Sequence, residues 1–295
     1  MHYFNVAKTF VLRIFENVER KHLSLIAAGL TYYFIMSVFP ALALLAALMA
    51  YLPLEGGMQG MTTFLGYVVP PQAASLFGQF LASIRPHRTG LLSFGLIVTV
   101  WLSSKAIKGI IAGLDLVHGV NVPRRLWTNR ILAFGLAFGI GILLLVAVTL
   151  MLAGSLIERV LSRVVPVQSL WIQIWPYLQW IPPAVFIFAA IEMLYLMAPN
   201  LPARKRVTVP GALVAAVSWL ALSWGLGFYF QHFGGAKMNR TYEFLATPVT
   251  VMIWLYWSAF AILIGAEINS SLQSYKSAKA PAPEEVAPTR RKEAA

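Results

Sequence analysis

The sequence predicts an all-α fold, a polytopic membrane protein built as a bundle of six transmembrane helices. An N-terminal amphipathic helix and short outer interfacial helices complete it. Three observations predict this. Six apolar stretches run roughly over 23–52, 91–117, 131–156, 177–198, 208–231 and 244–272. At 1.5 Å per residue, about 20 helical residues cross the roughly 30 Å hydrocarbon core of a bilayer. Only 12% of the 295 residues are charged and 59% are hydrophobic, whereas a soluble domain carries about 25% charged residues. Basic residues also alternate between the connecting segments. If six spans alternate, fifteen of the 23 Lys and Arg fall on one side and six on the other, with Lys105 and Lys108 inside the second span. Loops rich in Lys and Arg face the cytoplasm. Both termini are therefore expected there. The net charge of +12 follows from this orientation and does not call for nucleic acid. Membrane lipids are the expected partners.

Residues 1–22 form the first unit. Phe4, Phe10, Val11, Ile14, Phe15 and Val18 recur at helical spacing, with Lys8, Arg13, Arg20 and Lys21 among them. The charges interrupt the apolar positions and no small-residue cleavage site follows, so this is not a signal peptide. It is expected to be an amphipathic helix on the cytoplasmic leaflet. The membrane domain follows over 23–275. Pro40 in the first span predicts a kink near Met36–Pro40. Thr31, Tyr32, Tyr33 and Ser37 put hydroxyls just before it. Such groups bond backbone carbonyls or suit a groove for an amphiphile. The linker 53–90 is split by Pro70 and Pro71. Leu76, Phe77, Phe80, Leu81 and Ile84 then share one helical face, so two short helices are expected to rest on the outer interface.

Gly109 and Gly113 in the second span, and Gly135, Gly139 and Gly141 in the third, let helices approach closely. The same pattern would serve a homo-oligomer, and an envelope protein is the other protein partner considered. Trp171, Trp175 and Trp180 are placed as an aromatic belt at the start of the fourth span. Pro182 and Pro183 are tolerated at a helix start. From 276 to 295 the chain turns to Ala, Pro, Glu, Lys and Arg, the composition of a disordered tail.

Chemistry-bearing patterns are sparse. There is no cysteine. The five histidines are scattered, without zinc-ligand spacing. No nucleophile elbow or phosphate-cradling glycine loop occurs. Neither catalysis, a metal nor a cofactor is expected. Ionisable groups inside the spans are the better lead, because charge in a bilayer is costly unless it is paired or solvated. Lys105, Lys108 and Asp115 fall within an arc of about 80° on a helical wheel, bordered by Trp101. Glu192 lies about 12 Å from the cytoplasmic end of the fourth span, and Glu267 lies near that end of the sixth. Lys105 and Lys108 are also placed to snorkel to the inner interface, and Glu267 to lie at it. Glu192 is expected to face Lys105 or Lys108 across a cavity open to the cytoplasm. Lys105, Lys108, Asp115, Glu192, Glu267, Tyr32 and Tyr33 are the candidate substrate-binding residues.

Several segments carry a family resemblance. They are AAGLTYYFIMSVFPAL from Ala27, WLSSKAIKGI from Trp101, YLMAPN ending at Asn200 with the following VPGALVAAVSWL, and YEFLATPVTVMIWLYWSAFAILIGAEINS from Tyr242. Together they resemble the YihY/virulence factor BrkB family, once mislabelled ribonuclease BN, over about residues 20–275. Thr247-Pro248 departs from the family's usual small residues. The resemblance implies a six-span inner-membrane protein. One branch of that family is linked to serum resistance, and another to movement of lipid A-type glycolipids across the inner membrane. The expected function is a carrier or flippase-like transporter of a lipid or amphiphilic anion. The alternative is a non-transporting scaffold or accessory protein for envelope integrity or virulence. Ribonuclease activity is disfavoured, since no His and Asp cluster could hold the two metals it needs.

Overall fold

Turn chemistry divides the chain into its helices. The computed structural model describes residues 2–51, 57–83, 89–120, 124–161, 177–201, 207–229, 232 and 240–279. Among them are α1 (His2–Arg20), α2 (Leu23–Tyr51), α3 (Gly57–Val68), α4 (Pro71–Ser83) and α5 (Thr89–Val117). There follow α6 (Leu126–Leu161), α7 (Ile181–Met197), α8 (Val209–Tyr229) and α9 (Arg240–Lys279). His22, at φ 51°, makes the corner between α1 and α2. α5 ends in a Schellman cap. Gly119 adopts φ 64°, its N–H reaches the Leu116 carbonyl, and the Val120 N–H reaches that of Asp115. Glycine takes this left-handed step without steric cost. Pro71 opens α4 and Pro182 and Pro183 open α7, where the missing N–H sacrifices no helical bond. Pro248 instead lies inside α9, which begins before it at Arg240.

Six helices close into a ring. Neighbours follow the order α2, α5, α6, α7, α8, α9, and α9 packs back on α2 while also touching α5. α3 and α4 plug one end against α2, α6, α7 and α9. α1 lies at the other end against α9 and α2. Leu23, Leu114, Leu136, Ile187 and Leu263 fill the core.

Small residues set the closest approaches. A Cβ on Gly109 would press on Leu30, and one on Gly113 on Leu263 and Ile26. Gly139 faces Met193, whereas Gly135 and Gly141 face open space. The tightest crossing joins α8 to α9. A Cβ on Gly211 would run into the Gly265 carbonyl, and one on Gly265 into the Gly211 carbonyl. Gly211, Ala212, Ala215 and Ala216, all buried, are the small residues of α8 that permit it.

One expectation is corrected. α3 and α4 do not rest on a surface: Phe64, Phe77 and Leu81 are buried in the bundle. Phe39 meets Phe77 and Phe80 edge-on, and Phe64 meets Phe186. Packing on the ring removes more apolar area from water than an interface would. The last turn of α1 is bonded to the bundle through Asn17. Among the described residues, four segments are long and apolar enough to cross a membrane: Leu23–Ala43, Trp127–Leu150, Val209–Tyr229 and Thr247–Tyr275. α7 has 17 residues, about 25 Å of helix, and α5 has 29 residues with two lysines among them. Ile84, Trp171 and Trp175 lie outside the described residues. So does the tail over 280–295, while α9 continues through Lys279.

Candidate functional site

Polar side chains cross-link the end of the ring that α1 covers. Glu267, 1% exposed, accepts hydrogen bonds from Asn17 Nδ2 at 2.7 Å, Lys21 Nζ at 2.6 Å and Ser271 Oγ at 3.1 Å. Lys21 Nζ also donates to the Val117 carbonyl at 2.6 Å. One ammonium thus ties the end of α1 to the last residue of α5 and to the C-terminal third of α9, and at Val117 a cation suits the negative end of the α5 dipole. Nearby, His118 Nδ1 bonds the Leu114 carbonyl at 2.8 Å. Burial pushes the His118 imidazole below its ordinary pKa range, against the opposing effect of that hydrogen bond. Lys21 lowers it further, while Glu267 and Asp115 raise it.

Asp115 and Arg124 fix the exit of α7. Asp115 Oδ1 accepts the Asn200 N–H at 2.8 Å. The Arg124 guanidinium donates to the carbonyls of Ala198 at 2.8 Å, Pro199 at 3.0 Å and Met197 at 3.4 Å, and to Asn200 Oδ1 at 3.1 Å. The last carbonyls of a helix have no partner within it, and the planar fork of Arg supplies several donors at once.

Glu192 belongs to a third knot. Its Oε1 accepts the Thr208 hydroxyl at 2.5 Å, and its Oε2 is buried without a hydrogen-bond partner among the described residues. Thr208 stands at the start of α8, where its own oxygen would ordinarily cap the first turn. Asn269 of α9 does that instead, accepting the Gly211 N–H at 2.7 Å and donating to the Thr208 carbonyl at 2.8 Å. The Thr208 hydroxyl is thereby released to Glu192. The expected pairing of Glu192 with Lys105 or Lys108 is absent among the described residues, where the ion pair is Lys21–Glu267. The reason is ring order: α7 packs on α6 and α8, while α5 packs chiefly on α2, α6 and α9.

Lys105 and Lys108 occupy a different surface. Trp101 is 46% exposed, with Lys105 Nζ 5.8 Å and Arg130 Cζ 4.6 Å from its ring centroid. Lys105 is exposed; Lys108 and Arg130 are half-buried. None has a carboxylate within 4.0 Å among the described residues. Exposed Tyr32 and Tyr33 meet edge-on at 5.4 Å. Tyr33 lies beside Gly109, one helical turn beyond Lys105. Thr31 and Ser37 bond carbonyls of their own helix, those of Ala27 and Phe34.

The sequence profile described as Virulence factor BrkB matches residues 14–290. The chain belongs to the virulence factor BrkB family. It is similar to a ribonuclease-like protein, YfkH, of Bacillus subtilis (strain 168), at 30% identity over 251 residues. That match spans 85% of this chain and 90% of YfkH. It is also similar to a UPF0761 membrane protein of Tolumonas auensis, at 25% identity over 92% of this chain and 87% of that protein. A UPF0761 membrane protein of Xanthomonas campestris matches over 94 residues at 31% identity, 32% of this chain and 22% of that protein. No solved structure matches the chain. It is therefore a multi-pass membrane protein of the BrkB family.

In this BrkB-family chain the candidates separate into two groups. Asp115, Glu192 and Glu267 are absorbed into the polar knots at the α1 end. Lys105, Lys108, Tyr32 and Tyr33 stay on the lateral face of α2 and α5, joined by Trp101 and Arg130. Arg130 is a partner that linear spacing cannot reveal, since it looks like one more loop charge. Lys21, Arg124, Thr208 and Asn269 are equally hidden, because each acts on a helix far away in sequence.

Proposed function

We propose that this BrkB-family protein is a six-span inner-membrane carrier, flippase-like in action, for a lipid or other amphiphilic anion, with both termini in the cytoplasm. The observation that carries the proposal is the lateral face of α5. There Trp101 is flanked by Lys105 and Arg130, with no carboxylate in reach among the described residues. Cations at membrane depth are costly unless they meet an anion or water, and a desolvated cation beside an aromatic face is held in place by it. An anionic headgroup arriving sideways from the bilayer would complete the site, and its chains would stay in lipid. The ring of alternating helices supports six crossings, and the fifteen-to-six distribution of basic residues supports the orientation. Without a nucleotide-binding motif, movement would not be driven by ATP bound to this chain. Among the described residues no three His, Asp or Glu side chains converge.

The test is leaflet exchange of a fluorescent anionic phospholipid in vesicles holding the purified protein. Wild type should accelerate exchange. The double variant K105Q/R130Q should lose at least roughly tenfold, equivalent to about 1.4 kcal/mol, while Lys105→Arg should keep most of it. Exchange that is unaffected by the double variant would sink the proposal. The second reading, a non-transporting envelope scaffold, is favoured by the mutual bonding of the polar groups at the α1 end. If removing the gene leaves both leaflets unchanged in composition, that reading replaces the first.

A further inference from the structure

We infer that α1 is an anchor clasped to the bundle, with its free apolar strip seated in an anionic lipid surface. Val11, Leu12 and Phe15 are 48%, 52% and 67% exposed, and they span about 100° of the helical wheel. Phe10, Ile14 and Val18 are half-buried, and Val18 packs against the core. The apolar face of α1 is therefore wider than the bundle covers.

The clasp decides where the uncovered part points. Asn17 and Lys21 both bond Glu267, and Lys21 also bonds Val117. Contacts one turn apart on one side of a helix fix its roll about its own axis. The strip cannot turn inward without breaking them. It also continues a lipid-facing surface: α2 starts at Leu23, two residues beyond Lys21, and Leu25 is fully in the open.

Charge selects the occupant. The exposed charges of α1 are Lys8, Arg13 and Arg20 against Glu16 and Glu19, with Glu19 on the strip's own side one turn beyond Phe15, and Arg125 is exposed at the same end of the ring, so the balance is basic by four to two. Lys8 lies within the strip and is exposed, with a side chain long enough to snorkel. An exposed apolar strip on an end with an excess of basic over acidic side chains matches the boundary of an anionic leaflet, where apolar burial and net charge attraction add. This anchoring stands whether or not the protein moves a substrate.

The chain has no cysteine, so single spin labels can be placed without background. Phe15→Cys lies in the strip, and Arg13→Cys lies about 160° away on the helical wheel. The labelled full chain is placed in nanodiscs of neutral phospholipid, with or without phosphatidylglycerol. Collisions with dissolved oxygen and with a water-soluble nickel chelate are then compared. Position 15 should favour oxygen and position 13 nickel, with severalfold contrast that grows with the anionic share. A position 15 that collides freely with nickel in anionic discs overturns the inference. Protection of position 15 from both probes also overturns it, because a protein partner or a second copy would then cover the strip. Val11→Cys should behave as position 15 does. Adding Glu267→Ala, which removes the acceptor shared by Asn17 and Lys21, should raise label mobility at position 15, and unchanged mobility would refute the clasp.

Discussion

Lys21 and Glu267 are 246 residues apart in sequence and 2.6 Å apart in space, with exposures of 18% and 1%. Losing one partner leaves the other charge buried and uncompensated, at a cost of about 3–5 kcal/mol for a fully buried pair. Lys21→Met should approach the lower end, because it strands a carboxylate that water hardly reaches. Glu267→Gln should cost less, since its amide oxygen still accepts from Asn17 and the half-open Lys21 keeps the Val117 carbonyl. Thermal unfolding in detergent should rank wild type above E267Q, and E267Q above K21M. Beside this pair, His118 supplies a pH dependence whose sign follows from its burial. Its imidazole is held below the unfolded value of about 6.5, so the folded chain prefers it neutral. Its contribution is full above the unfolded value and is lost as pH falls toward the folded one. The melting temperature of wild type should therefore drop between neutral and mildly acidic pH by more than that of His118→Gln. Equal slopes in the two proteins would remove His118 as the cause.

Between elements, what matters is whether a backbone can approach. At the α8–α9 crossing Gly211 and Gly265 face each other's carbonyls, and neither neighbour is a flexible side-chain tip that could move aside. Gly211→Ala or Gly265→Ala should cost about 1–3 kcal/mol through overpacking. Gly135→Ala faces open space and should be neutral or stabilising by up to about 1 kcal/mol, since alanine is the better helix former. Opposite shifts in melting temperature would check the pair. The contrast also shows what a sequence carries about such a fold. The helices themselves are legible, because apolar runs and prolines act locally: Pro71 opens α4 and Pro182 opens α7 as their positions suggest. Which glycine matters is not local. Gly135 and Gly211 both sit amid apolar residues, and only the partner helix distinguishes them. Asn269 makes the same point for polar groups, since it caps α8 from α9 and no pattern around Thr208 announces it. The Glu192 pairing failed for this reason: depth along a helix can be counted from sequence, but the order of helices around the ring cannot.

At the scale of the molecule, the two ends of the ring differ in kind. The α1 end is knotted by Lys21, Glu267, Arg124, Asp115 and Asn269. The opposite end is plugged by α3 and α4 and holds an aromatic-walled cavity of about 320 Å³ near Tyr67, Trp180, Trp224 and Phe228. Basic residues are concentrated toward the first end, and long-range placement of Lys and Arg is what directs insertion. The proposed six crossings put Ser274, exposed on the last turns of α9, on the cytoplasmic side, and Gln79, exposed on α4, on the opposite side. A cysteine introduced at each position of this cysteine-free chain can report on that arrangement. In whole cells a membrane-impermeant maleimide should modify Gln79→Cys and leave Ser274→Cys untouched until the membrane is opened. The reverse pattern would invert the protein and place the α1 strip on the outer leaflet. Modification of both positions in intact cells would remove the alternation on which six crossings rest. An orientation with α1 inside brings the anionic leaflet, the exposed strip and the Lys21 clasp to one depth, and the lateral cations of α5 open toward the same bilayer.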